Sequence, residues 1–166
     1  MSPMLHAAAA VALGAGATAA IDAWNYALRR VAGIASLNYC LLDRWVSHLR
    51  HGVFRHRSIA DAELARCECT LGWIAHYGIG IALAAVFVGA AGADWLLRPT
   101  VLPALGFGVV TVALPFFVLQ PALGLGLASS ATRDPLAARI KSLATHSVYG
   151  LGLYACARVL SAWLFA

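Results

Sequence analysis

Four long apolar stretches fill most of this chain, and each carries one strongly polar side chain near the same end: Asp22, His76, Gln120 and His146. The stretches run from about Met4 to Tyr26, from Thr70 to Gly92, from Val101 to Ala122 with a continuation toward Ala128, and from Ser142 to Phe165. A helix rising ~1.5 Å per residue needs ~20 residues to cross a ~30 Å hydrocarbon core, and every stretch is long enough. None alternates in the manner of a barrel strand. The expected fold is all-α: an integral membrane four-helix bundle forming one domain over residues 1–166, with a cytoplasmic loop over residues 30–69.

The composition agrees. The chain is 61% hydrophobic and only 11% charged, where a soluble domain carries roughly a quarter charged residues. Too few charges remain to solvate a globular surface, so the lipid bilayer is its expected partner. The net charge is +5, but the basic residues border apolar spans and no aromatic platform interleaves them, which argues against nucleic acid.

Lys and Arg also set the orientation. Arg29, Arg30, Arg44, Arg50, Arg55, Arg57 and Arg66 surround the first loop, and Arg133, Arg139 and Lys141 lie in the third, so ten of the twelve basic residues fall on one side. Arg98 and Arg158 are on the other. Both basic loops are therefore expected in the cytoplasm and both termini outside, with Trp95 and Trp163 at the outer interface and Trp73 at the inner one. Ala17-Thr18-Ala19-Ala20 has the look of a signal-peptide cleavage site. The preceding residues carry no Lys or Arg, and the helical pattern continues past it, so the segment is expected to stay as a span.

The first loop has Leu37, Leu41, Trp45, Leu49 and Val53 at helical spacing between Ser36 and Val53, with Asp43, Arg44, His48, Arg50 and His51 on other faces. That pattern predicts an amphipathic helix on the inner leaflet. Ser58 and Asp61 resemble a capping box, from which a second helix would run into the second span. His48, His51, Arg55, His56 and Arg57 form either a ligand cluster or a basic face for anionic lipid headgroups, and the headgroup reading is preferred. Cys40, Cys67, Cys69 and Cys156 include a lone C-x-C, whose members point to different helix faces. They are expected to be unpaired thiols, since a disulfide framework does not suit the cytoplasmic side.

Within the spans, Asp22 lies ~10 Å inside the cytoplasmic charge boundary, His76 ~9 Å and His146 ~7 Å, and Gln120 sits near the inner end of its span. Polar groups at one depth in lipid turn toward the bundle interior or a water-filled cavity. Tyr77, Tyr149, Thr145 and Tyr26 add hydroxyls near that level. Pro115 and Pro121 weaken the third helix and free carbonyls there. Glycines crowd the same level, and His76-x-x-x-Gly80 is echoed by His146-x-x-x-Gly150.

Three readings of this constellation stay open. The polar residues hold helices together. Alternatively, they form a site for a small ligand, a proton or a transition metal, with His76, His146 and Asp22 as ligands. Less favoured is haem held between His76 and His146. No nucleophile elbow, P-loop, H-E-x-x-H or paired-carboxylate motif points to an enzyme class.

Several ordered motifs resemble a bacterial family of small integral membrane proteins, the domain of unknown function 2938. They are Ile21-Asp22-Ala23-Trp24, Arg44-Trp45, Gly52-Val53-Phe54-Arg55-His56 and Gly72-Trp73-Ile74-Ala75-His76-Tyr77, followed by Pro115-Phe116, Gln120-Pro121-Ala122-Leu123-Gly124 and His146-Ser147-Val148-Tyr149-Gly150-Leu151-Gly152. The resemblance implies a complete four-span protein of the bacterial inner membrane and carries over no catalytic role. Cys67-Glu68-Cys69 lies outside its pattern. Four short helices make a thin transporter, so any transport is expected to require a homo-oligomer.

Overall fold

The computed structural model describes residues 2–35, 38–63 and 69–165. Its helices are α1 (Pro3–Ala32), α2 (Tyr39–Leu49), α3 (Thr70–Leu97), α4 (Val101–Thr111), α5 (Gln120–Ala122) and α6 (Pro135–Phe165). There is no strand among the described residues. Three segments are both long and apolar enough to cross a membrane, Pro3–Ala32, Thr70–Leu97 and Val101–Ala122, as expected of a membrane protein. α6 has the length, but Ser142, Thr145, His146, Ser147 and Arg158 dilute its apolar character.

The helix ends follow local chemistry. Ser2 caps α1 by accepting from the Leu5 amide, Pro3 occupies the first turn, and Gly33 closes the helix in the left-handed conformation at φ 66°. α1 thus runs six residues past Tyr26, through Arg29 and Arg30, which suit the negative end of the helix dipole. α3 continues past Gly92, whose φ of 80° interrupts the helical geometry, and so includes exposed Asp94 near its end. The third span is not one regular helix. α4 gives way to a π-helical turn at Pro115–Leu119 and then to α5, the wide turn expected where prolines interrupt the ladder. The continuation to Ala128 does not form, because Gly124 turns the chain at φ 86°.

The chain packs as two compact units. The first comprises residues 1–35, 77–110 and 145–166. Its core joins Leu13, Ala17 and Ile21 of α1, Ala84, Phe87 and Val88 of α3, Ala104 of α4, and Tyr149, Leu153 and Ala157 of α6. Small residues bring these helices close. A Cβ on Gly14 would stand 2.5 Å from the Ile81 Cα, and one on Gly152 2.8 Å from the Ala17 Cα. Large apolar side chains point outward instead: Val86, Leu102, Val110 and Val159 are all exposed. A soluble surface rarely carries so much apolar area. Trp95, near the end of α3, has protein partners of its own. It is buried against Phe87 with ring centroids 4.7 Å apart, and its Nε1 donates to the Thr100 carbonyl at 3.2 Å.

The second unit comprises residues 36–76 and 111–144. The amphipathic loop helix forms, but over Tyr39–Leu49, with Asn38 as its cap; Leu37 lies outside the described residues. Ser58 makes no capping hydrogen bond, and Ile59–Asp61 is only a 3-10 turn that ends in extended backbone at Ala62. No helix runs from there through Glu63, and α3 begins at Thr70. The expectation of unpaired thiols is overturned at two positions, since Cys40 and Cys69 form a disulfide. The cause is local. The Asp43 carboxylate accepts from the Leu71 and Gly72 amides at 2.9 and 3.3 Å, which draws the start of α2 onto the start of α3. Cys156 is a free thiol, and Cys67 lies outside the described residues.

Candidate functional site

In the first unit, the Tyr77 hydroxyl of α3 donates to the Asp22 carboxylate of α1 at 2.9 Å. Both residues are half-buried, and Ile21, the residue just before Asp22 on α1, is in the core. Asp22 is thus held by a partner from another helix while part of its surface stays open. The indole Nε1 of Trp24, two residues on, is buried without a hydrogen-bond partner.

His146 and Tyr149 belong to the same unit, on α6. The Tyr149 ring is buried, and its hydroxyl donates to the Gly80 carbonyl at 2.6 Å. This ties α6 to α3, so Tyr149 has a structural partner of its own. The echo between the two His-x-x-x-Gly motifs has a packing meaning here. Gly80 leaves room for the Thr18 hydroxyl, which donates to Gly14 at 2.7 Å. Gly150 leaves room for α4, whose Ala104 carbonyl would lie 2.5 Å from any added Cβ. Tyr26 pairs locally, accepting from Arg30 Nε at 3.1 Å.

His76 and Gln120 belong to the second unit. The His76 ring stacks on Tyr39 with centroids 4.1 Å apart, and Trp73 approaches both rings edge-on. Gln120 is buried. Its Nε2 donates to Ser142 Oγ at 3.3 Å, whereas its Oε1 is buried without a partner. The four span residues are therefore distributed two to each unit, and within neither unit do three of them meet. Among the described residues, no three His, Cys, Asp or Glu side chains converge as a metal would require.

Several organising residues were not singled out by span depth. Asp43 is 1% exposed and also accepts from Ser47 Oγ at 3.2 Å. It serves as a cap supplied from 28 residues away. Arg44 donates to the carbonyl of Ala60 at 2.8 Å and reaches those of Ile59 and Ala62 at 3.4 Å. Trp45 Nε1 donates to the Phe54 carbonyl at 3.0 Å. The available signal was an acid directly before Arg44-Trp45, at the head of a basic stretch with no further acid before Asp61.

The same loop then meets the chain after the π-turn. The His56 amide donates to the Ala122 carbonyl at 2.9 Å, and the Ile59 amide to that of Leu123 at 3.2 Å. Arg55, His56 and Arg57 here line a cavity of about 380 Å³ with Gly124, Gly126 and Ala131. The sequence segments Gly52–His56 and Gln120–Gly124 are thereby brought into one structure.

No curated protein and no solved structure matches the chain. The family described as Protein of unknown function (DUF2938) matches residues 11–160, almost the whole sequence, and the chain belongs to that family.

Proposed function

We propose that this protein crosses the bacterial inner membrane with four helices and that its Asp22–Tyr77 pair binds and passes a proton or a small polar ligand. The observation that carries this reading is a carboxylate within an apolar helix, hydrogen-bonded at 2.9 Å by a hydroxyl from a second helix. An ionisable side chain in a span is costly, and such groups commonly mark ion or substrate pathways. A carboxylate beside a phenol can take up a proton, release it, or orient a hydroxyl- or amine-bearing solute. Both basic loops face the cytoplasm in this proposal, and both termini face outward. Transport through so few helices requires a homo-oligomer.

Reconstitution tests this reading. Liposomes containing the protein should acidify under an imposed potential faster than empty ones, and Asp22→Asn should remove at least ~90% of the difference. Wild-type liposomes that behave like empty ones, both with and without added small polar solutes, would exclude it.

A structural or partner-binding subunit is the second reading. The buried bond from Tyr149 to Gly80 favours it, because that bond shows a polar span residue fully used in holding two helices.

A further inference from the structure

The cavity at Arg55–Arg57 has a chemistry of its own. It lies wholly within the second unit, and its six lining residues are Arg55, His56, Arg57, Gly124, Gly126 and Ala131. Its volume of about 380 Å³ falls at the small end of the ~300–1,000 Å³ typical of ligand sites. Between Asp43 and Asp61 the sequence has no acid, while Arg44, His48, Arg50, His51, Arg55, His56 and Arg57 are all basic. The Arg55 and Arg57 side chains are exposed on either side of half-buried His56.

The His56 ring is held by a second imidazole. Its Nε2 is hydrogen-bonded to His48 Nδ1 at 2.8 Å, and the rings lie 5.0 Å apart. Its Nδ1 is buried and has no partner. When His48 donates to Nε2, neutral His56 must carry its proton on Nδ1, and that N–H then requires an acceptor. A protonated His56 makes the same demand.

Two of the other lining residues are glycines. Gly124 and Gly126 have φ of 86° and 75°, values that L side chains rarely adopt. A Cβ at Gly124 would overlap the Arg57 carbonyl, and one at Gly126 would overlap Ser130 Oγ. Glycine at 124 is what lets the turn sit against the Arg-His-Arg segment, and glycine at 126 lets the turn close on Ser130 and Ala131.

We propose that this cavity binds a phosphate group, either a phospholipid headgroup or a free phosphorylated solute, through Arg55 and Arg57 with His56 in support. Two guanidinium forks recognise tetrahedral phosphate oxygens in bidentate fashion. This site shares no residue with the Asp22–Tyr77 pair and does not depend on that reading.

The test uses full-length protein in a neutral detergent, titrated with short-chain phosphatidylglycerol, short-chain phosphatidylcholine and inorganic phosphate. Binding is followed by calorimetry. Three variants are compared: the double variant Arg55→Gln/Arg57→Gln; Ala131→Leu, which narrows the cavity from an exposed position without touching its charge; and Arg50→Gln, a basic residue outside the cavity. Phosphatidylglycerol should bind at least ~10-fold more weakly to the first two variants, with Arg50→Gln unchanged, since a charge-assisted bidentate pair is worth about that factor or more. Inorganic phosphate binding with the same dependence, while neither lipid binds, would assign a soluble ligand. Phosphatidylcholine binding as tightly as phosphatidylglycerol, no binding of either phosphate form, or equal affinity in wild type and both cavity variants would overturn the proposal.

Discussion

Tyr77 and Asp22 stand 55 residues apart in sequence, and their side chains meet at 2.9 Å as hydroxyl donor and carboxylate acceptor. Interhelical hydrogen bonds of this kind contribute only ~0.6 kcal/mol on average and at most ~1.7. Removing the hydroxyl should therefore leave the protein folded. We expect Tyr77→Phe to lower unfolding stability in detergent by ~0.5 to 1.5 kcal/mol, and the Asp22→Asn/Tyr77→Phe cycle to show coupling of similar size. Coupling near zero would mean that the two side chains do not act together, which would remove the basis for treating them as one site.

Asp43 carries more. It is fully buried, and its carboxylate accepts from two amides that open α3 and from Ser47. Hydrogen bonds to a charged group are worth ~1.5 to 3 kcal/mol, and a buried donor left unpaired costs ~1 to 3. Asp43→Ala should therefore destabilise the protein by ~3 kcal/mol or prevent its accumulation, whereas Asp43→Asn, which keeps one acceptor oxygen, should cost less than half as much. Chemical unfolding of both variants would decide. An Asp43→Ala protein as stable as wild type would show that α3 finds another cap.

The Cys40–Cys69 disulfide and the charge asymmetry make opposite demands. Arginine clustering sends the loop to the cytosol, where thiols stay reduced. We expect orientation to follow charge. In a Cys67→Ala/Cys156→Ala background, acid-trapped cells should give two thiols that react with a maleimide polymer, and purified protein left in air should lose both reactions together. A bridge already present in acid-trapped cells would place the loop on the oxidising side and invert the topology.

These cases show what the sequence made legible. Apolar runs longer than twenty residues point to membrane-crossing helices because little else is compatible with them, and among the described residues three segments are long and apolar enough to cross. Pro115 and Pro121 announced the broken third span, and the wide turn at Pro115–Leu119 follows from them. Depth in a span, however, is a one-dimensional quantity. It placed Asp22, His76, Gln120 and His146 at one level but could not say which neighbours each would meet, and His76 in fact stacks on Tyr39 of the loop helix. The roles of Asp43 and of the meeting between His56 and Ala122 depend on contacts across 28 and 66 residues, for which no local periodicity exists.

Glycine positions allow the sharpest separation of packing from composition. Gly150 of α6 faces α4 so closely that a Cβ would lie 2.5 Å from the Ala104 carbonyl and 2.8 Å from the Leu105 Cα. Neither contact is with a flexible side-chain tip, so the helices themselves must separate. Gly89 of α3 has nothing within 4 Å of the same hypothetical atom. A Cβ there only restricts an overly free backbone, which favours a helix by ~0.5 to 1 kcal/mol. Gly150→Ala should thus destabilise the protein by ~1 to 3 kcal/mol, the range for overpacked interiors, while Gly89→Ala should be neutral or slightly stabilising. Both are single-methyl changes in membrane-type helices, so insertion and hydrophobicity are matched, and thermal unfolding in one detergent compares them directly. Equal effects of the two substitutions would mean that close approach between α4 and α6 does not hold the first unit together.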